Sequence, residues 1–179
     1  GYYGLLIELM DDFPFVMKQI KNTGCLTAMD TDNSGISMEP LGRILPHLDL
    51  YFPNEIQGKM QTGEDIPEKM INAYRNVGAT GILGIKLGPD GALISPQKDK
   101  FFKVKAIEPP EKLKDTLGAG DSFFGGLIAG LVRGLSIEDA GRLAAATGAC
   151  NVSAAGGTAG LRNYYETAML AGISNQNAN

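Results

Sequence analysis

Three short apolar runs, at residues 25–29, 48–52 and 80–87, alternate with segments whose apolar residues recur at helical spacing. Apolar residues at 13, 16, 17 and 20 give one such segment over 12–21, and 67–76 gives another. Pro67 opens the latter, where its missing N–H costs little. Residues 38–45 and 54–61 read as further helices. This alternation constrains the fold strongly, because parallel strands need helix-sized, right-handed crossovers. It predicts an α/β protein with a mostly parallel sheet and helices on both faces.

Beyond residue 87 the pattern changes. Gly88-Pro89-Asp90-Gly91 is a turn, 92–94 a returning strand and 101–106 a fifth strand. Helical patterns then follow over 121–132, 137–153 and 161–170, separated by glycines. One domain is expected over 1–173, with a polar, mobile tail at 174–179. Sites in such sheets lie outside the carboxyl ends of the strands. Asp30, Asn54, Lys86 and the 115–121 loop all fall there, which predicts a ligand cleft.

The charge balance narrows the partners. A net charge of −4 over 179 residues disfavours a general nucleic-acid binder, which needs a basic surface. No apolar run approaches the roughly 20 residues of a membrane span. Two cysteines, Cys25 and Cys150, and the single His47 are too few for a zinc site. Both cysteines are expected to be buried and inert. Reduced thiols, with no basic leader before the apolar 2–10 stretch, point to the cytosol.

Chemistry concentrates at Asp115-Thr116-Leu117-Gly118-Ala119-Gly120-Asp121, just before a long apolar helix. Glycines let backbone N–H groups approach a ligand closely. A helix N-terminus adds unpaired donors and the positive end of the dipole. Together these suit a phosphate, and Asp121 stands where a base could accept the proton of an attacking hydroxyl. A lone Gly-x-Gly before a helix is more often an ordinary turn. The full string, continued by Ser122-Phe123-Phe124-Gly125-Gly126, is far more specific.

That string resembles the C-terminal signature of the ribokinase-like (PfkB) carbohydrate kinases. Residues 45–55 resemble the strand leading to the family's Asn-x-x-Glu motif. Residues 85–92 resemble its strand and turn beside the nucleotide, and 144–157 the helix and loop flanking adenine. The resemblance implies ATP-dependent phosphorylation of a sugar or sugar-acid hydroxyl. Asp121 would be the base, and the N–H groups of Gly118, Ala119 and Gly120 the anion hole. Asn54, Lys86, Gly88, Gly91, Thr116 and Gly156 would surround the nucleotide. Magnesium would travel with ATP, with Glu55 reaching it through water. Asp115 would shape the loop or hold potassium, as in some members.

Two departures matter. The motif reads Asn54-Glu55-Ile56-Gln57, with an amide where a carboxylate is expected. The resemblance also covers only the latter part of a typical member, without its N-terminal sugar-binding part and lid. Relatives that dimerise through the lid imply a homodimer for a full-length protein. Rival readings are a nucleoside or vitamin kinase of the same fold, and a catalytically silent nucleotide-binding fragment.

Overall fold

The computed structural model describes residues 12–31 and 37–173. The apolar stretch before residue 12, most of the turn expected at 31–35 and the expected tail at 174–179 lie outside the described residues. The chain divides into two compact units, Gly1–Lys86 with Leu93–Phe102, and Leu87–Ala92 with Lys103–Asn179. No described helix is long and apolar enough to cross a membrane.

The first unit follows the predicted alternation: α1 (Phe13–Asn22), β1 (Ala28–Met29), α2 (Met38–Ile44), β2 (Leu50–Tyr51), α3 (Glu55–Thr62), α4 (Pro67–Asn76) and β3 (Ile82–Lys86). With β4 (Ala92–Gln97) and β5 (Lys100–Val104) these strands form one sheet in the order β1-β2-β3-β4-β5. β1, β2 and β3 pair in parallel, with Ala28 opposite Leu50 and Leu50 opposite Ile82. The last two strands arrive through turns too short for a crossover, so they return antiparallel. The sheet is therefore mixed, the three parallel strands of the expected α/β fold being extended by this returning pair. Leu87 N–H donates to Gly91 O at 2.8 Å across the first turn. Asp99 takes φ 61° in the second, a conformation Asp tolerates better than most residues.

Consecutive residues Leu83 to Lys86 are all buried. Since side chains alternate along a strand, both faces of β3 are covered. A Cβ on Gly84 would run into the Phe52 ring. The core places Tyr51 edge-on to Tyr74, with ring centroids 5.2 Å apart. Both hydroxyls donate to Gln61 Oε1, at 2.8 and 2.6 Å. Buried polar groups of this kind are costly unless paired, and here they are. Arg75, on the last turn of α4, donates to the carbonyls of Ala79, Gly81 and Ser95 at 3.1, 2.6 and 3.0 Å. It thereby ties α4 to the start of β3 and the middle of β4.

The second unit carries α5 (Ala119–Val132), α6 (Ile137–Asn151) and α7 (Tyr164–Leu170). Side chains set the starts of the latter two. Ser136 Oγ accepts Asp139 N–H at 3.1 Å, and Asn163 Oδ1 accepts Glu166 N–H at 3.0 Å. That cap starts α7 at residue 164 rather than 161. On α5, Gly126 and Gly130 face α6, where added Cβ atoms would strike Thr147, Ala144 and Ala140. Gly126 thus serves close helix–helix packing, and Gly125 faces open space. Cys150 is buried, and burial pushes its thiol pKa up. Cys25 is exposed instead, because β1 starts only at Ala28.

Candidate active site

Candidate site residues fall into two clusters, one in each unit. In the first, the ends of three parallel strands bring Asp30, Asn54 and Lys86 together. Asn54 bridges to Lys86, and Lys86 N–H donates to Pro53 O at 2.9 Å. The Lys86 side chain is only 10% exposed, and its Nζ lies 2.5 Å from Asp30 Oδ2. Lys86 is therefore a buried, charge-paired lysine. Asp30 also accepts Thr31 N–H at 2.9 Å, so it shapes the turn as well.

Asn54 opens α3 with a reciprocal cap. Its Oδ1 accepts Gln57 N–H at 2.8 Å, while Gln57 Oε1 accepts Asn54 N–H at 2.7 Å. Gln57 Nε2 donates to Thr31 O at 2.6 Å. Both polar ends of the Gln57 amide are thus engaged in the fold. Glu55 is exposed in the first turn of α3. Among the described residues, no group of three His, Cys, Asp or Glu could hold a metal ion.

The second cluster is the glycine loop. Gly118 precedes α5 with φ 73° and ψ 4°, so the helix begins at Ala119, two residues before the expected start at Asp121. Ala119 N–H turns back to Thr116 O at 3.2 Å. The N–H groups of Gly118, Gly120 and Asp121 make no hydrogen bond among the described residues. Of the three donors expected in an anion hole, Gly118 and Gly120 are open, and Asp121 supplies another. The exposed Asp121 carboxylate sits on the same first turn. The Thr116 side chain is exposed, and its carbonyl is what closes the turn.

Hydrogen bonds hold this loop to the end of α6 and to the segment after it. Asp115 Oδ1 accepts Leu117 N–H at 3.0 Å and Oδ2 accepts Gly156 N–H at 2.9 Å. The Leu117 N–H, then the Gly156 N–H, hold the Asp115 carboxyl below the usual range. Lys114 N–H donates to Val152 O at 2.9 Å. Asn151 Nδ2 donates to Leu117 O at 2.7 Å. Gly118 also lies so close to Gly157 that a Cβ would sit 2.7 Å from its carbonyl. Asn151 and Gly157 lie in the 144–157 stretch whose resemblance implied a place beside adenine, but nothing in the sequence marked their contacts with Leu117 and Gly118. Gly88 and Gly91 take φ 57° and 89° in the turn after β3, where a Gly91 Cβ would strike the Val104 carbonyl.

A cavity of about 590 Å3 runs along α5, lined by Gly118, Asp121, Gly125, Thr147 and Gly157 among others. The Arg133 guanidinium, also on its wall, lies 4.4 Å over the Tyr164 ring.

The sequence profile of the pfkB family carbohydrate kinases matches residues 13–163. The 2-dehydro-3-deoxygluconokinase of Bacillus subtilis is 34% identical over 161 residues, covering 85% of this chain and 48% of that protein. The structure of Arabidopsis thaliana ribokinase complexed with ribose and ATP superposes with a TM-score of 0.80 at 24% identity. That match covers 92% of this chain and 53% of the ribokinase. A putative ribokinase II from E. coli, in complex with ATP and Mg2+, superposes at 0.73 and 25% identity over 86% of this chain and 51% of its own. The chain spans about half the length of these relatives.

Proposed function

The chain belongs to the pfkB family of carbohydrate kinases, and from that premise we propose that it carries the phosphoryl-transfer centre of an ATP-dependent kinase acting on a sugar or sugar-acid hydroxyl. The observation that carries this reading is the first turn of α5. Open N–H donors and an exposed carboxylate occur there on one rigid element. Gly118, Gly120 and Asp121 N–H would receive the phosphoryl oxygens, where the helix dipole favours negative charge. Asp121 would accept the hydroxyl proton as the new oxygen–phosphorus bond forms. A sugar acid is favoured over a neutral sugar by the Bacillus relative named for 2-dehydro-3-deoxygluconate.

Magnesium carried on nucleotide phosphates needs only one or two protein carboxylates. Glu55 is the carboxylate at the motif that fits this demand, since the Gln57 amide is engaged in the helix cap. Bound magnesium would neutralise charge on the phosphoryl oxygens. For potassium, both Asp115 oxygens and the Leu117 and Val152 carbonyls already accept hydrogen bonds within the loop.

The test is a phosphorylation screen of the protein over sugar acids, neutral sugars and nucleosides, with Asp121→Asn in parallel. The variant is expected to keep ATP binding and lose at least about a hundredfold in turnover, the lower range for a general base. Retained turnover would remove Asp121 from the reaction. Preference for a nucleoside would transfer the reading to that substrate class.

A further inference from the structure

The amide of Asn151 is 0% exposed and only half satisfied. Its Nδ2 reaches the Leu117 carbonyl, 34 residues away, at 2.7 Å. Its Oδ1 has no partner among the described residues. Burying an asparagine this way costs more than burying an alanine, unless the single bond it makes is worth more to the protein than its own energy. The location of that bond says what it governs. Leu117 is the residue before Gly118, and the Leu117–Gly118 peptide carries both the carbonyl that Asn151 holds and the Gly118 N–H. Rotating that peptide would move this N–H and undo the φ 73° turn from which α5 starts.

Among the described residues, no other hydrogen bond reaches this peptide from the carbonyl side. Asp115 holds the Leu117 N–H, one peptide earlier, and Gly118 is confined by its contact with Gly157. Leu117's own side chain is 65% exposed and provides no anchor. We infer that Asn151 is a positioning residue for phosphoryl transfer: by holding the Leu117 carbonyl it fixes the peptide plane that aims the Gly118 N–H, and with it the open first turn of α5, at the terminal phosphate of the nucleotide. This rests on the function proposed above, because it assumes that the open donors receive a phosphate.

A residue that aims donors at the terminal phosphate affects nucleotides that carry that phosphate and spares those that lack it. A residue that merely holds the fold weakens both alike. The experiment is calorimetric titration of the full chain with magnesium ADP and with the non-hydrolysable triphosphate AMP-PNP, for wild type, Asn151→Ala and Asn151→Gln. Wild type is expected to bind the triphosphate more tightly than ADP. Asn151→Ala should lose about tenfold of that preference, equivalent to about 1.4 kcal/mol, with ADP affinity unchanged. Asn151→Gln, which keeps the amide donor, should recover most of it. Should the alanine variant fail to fold by circular dichroism, Asn151→Ser reads the same loss, since its hydroxyl is too short to reach Leu117.

An unchanged triphosphate preference in the alanine or serine variant would overturn the inference while leaving the kinase reading standing. Equal loss for ADP and triphosphate would overturn it too, assigning Asn151 to the fold alone. If wild type binds neither nucleotide, the functional reading fails, and this inference with it.

Discussion

Gly118 shows how much a single residue carries. Its φ of 73° is a conformation that costs an L-residue about 1–2 kcal/mol, and a Cβ there would press on the Gly157 carbonyl. Gly118→Ala is therefore expected to lower stability by about 1–2 kcal/mol in denaturant unfolding. It should also weaken triphosphate binding, because the open N–H groups move with the turn. Gly125→Ala, at an open mid-helix position one helical turn beyond Asp121, is the contrast expected to raise stability by about 0.5–1 kcal/mol, because alanine loses less backbone freedom in a helix than glycine. The glycine loop was legible because its chemistry is local: consecutive residues make both the turn and the donors. Asn151 was not, because its partner is distant in sequence and one buried amide leaves no pattern. Gln57 looked like a weakened metal contact for a related reason. Its bonds to Asn54 and Thr31 came to light only in the fold.

At the scale of elements, the α5–α6 contact depends on the absence of side chains. Gly126 and Gly130 admit Thr147, Ala144 and Ala140 at backbone distance. Gly126→Val should cost about 1–3 kcal/mol by overpacking, measured as a lower unfolding midpoint at unchanged m-value. α4 matched its predicted span because proline and apolar spacing marked it from within. β1 and β2 shrank to two residues each, since the ladder and not the apolar run decides where a strand ends. The antiparallel return of β4 and β5 was visible as short turns, yet the βαβ pattern before them dominated the expectation. Arg75 had no sequence signature, because its bonds to Ala79, Gly81 and Ser95 become visible only once α4, β3 and β4 are assembled.

For the whole molecule, acid sensitivity follows from carboxylates that hold more than a solvated charge. Burial acts to raise the Asp49 carboxyl, but the Thr27 N–H and hydroxyl with the Lys21 ammonium outweigh it and hold it below its ordinary value. Asp139 is lowered by Arg142, and Asp115 by the N–H groups of Leu117 and Gly156. A carboxyl lowered by folding contributes stability above its unfolded value, and that contribution is lost as pH falls through the folded value. Stability should therefore change little between about pH 5 and 7 and drop below about pH 4. Urea unfolding across that range would show it, and Asp49→Asn should make the acid slope shallower. An equally steep slope in the variant would discharge Asp49 from this role.

The boundary between the two units has a separate consequence for how the chain can be divided. The backbone passes from one unit to the other after Lys86, after Ala92 and again after Phe102. A protease cut in the 88–90 turn would leave residues 93–102, which belong to the first unit, on the fragment that carries α5. Neither unit can be expressed, or exchanged with that of a relative, as one uninterrupted stretch of gene. Recombination between relatives would have to respect the 87–102 segment as a seam stitched three times, not a joint crossed once.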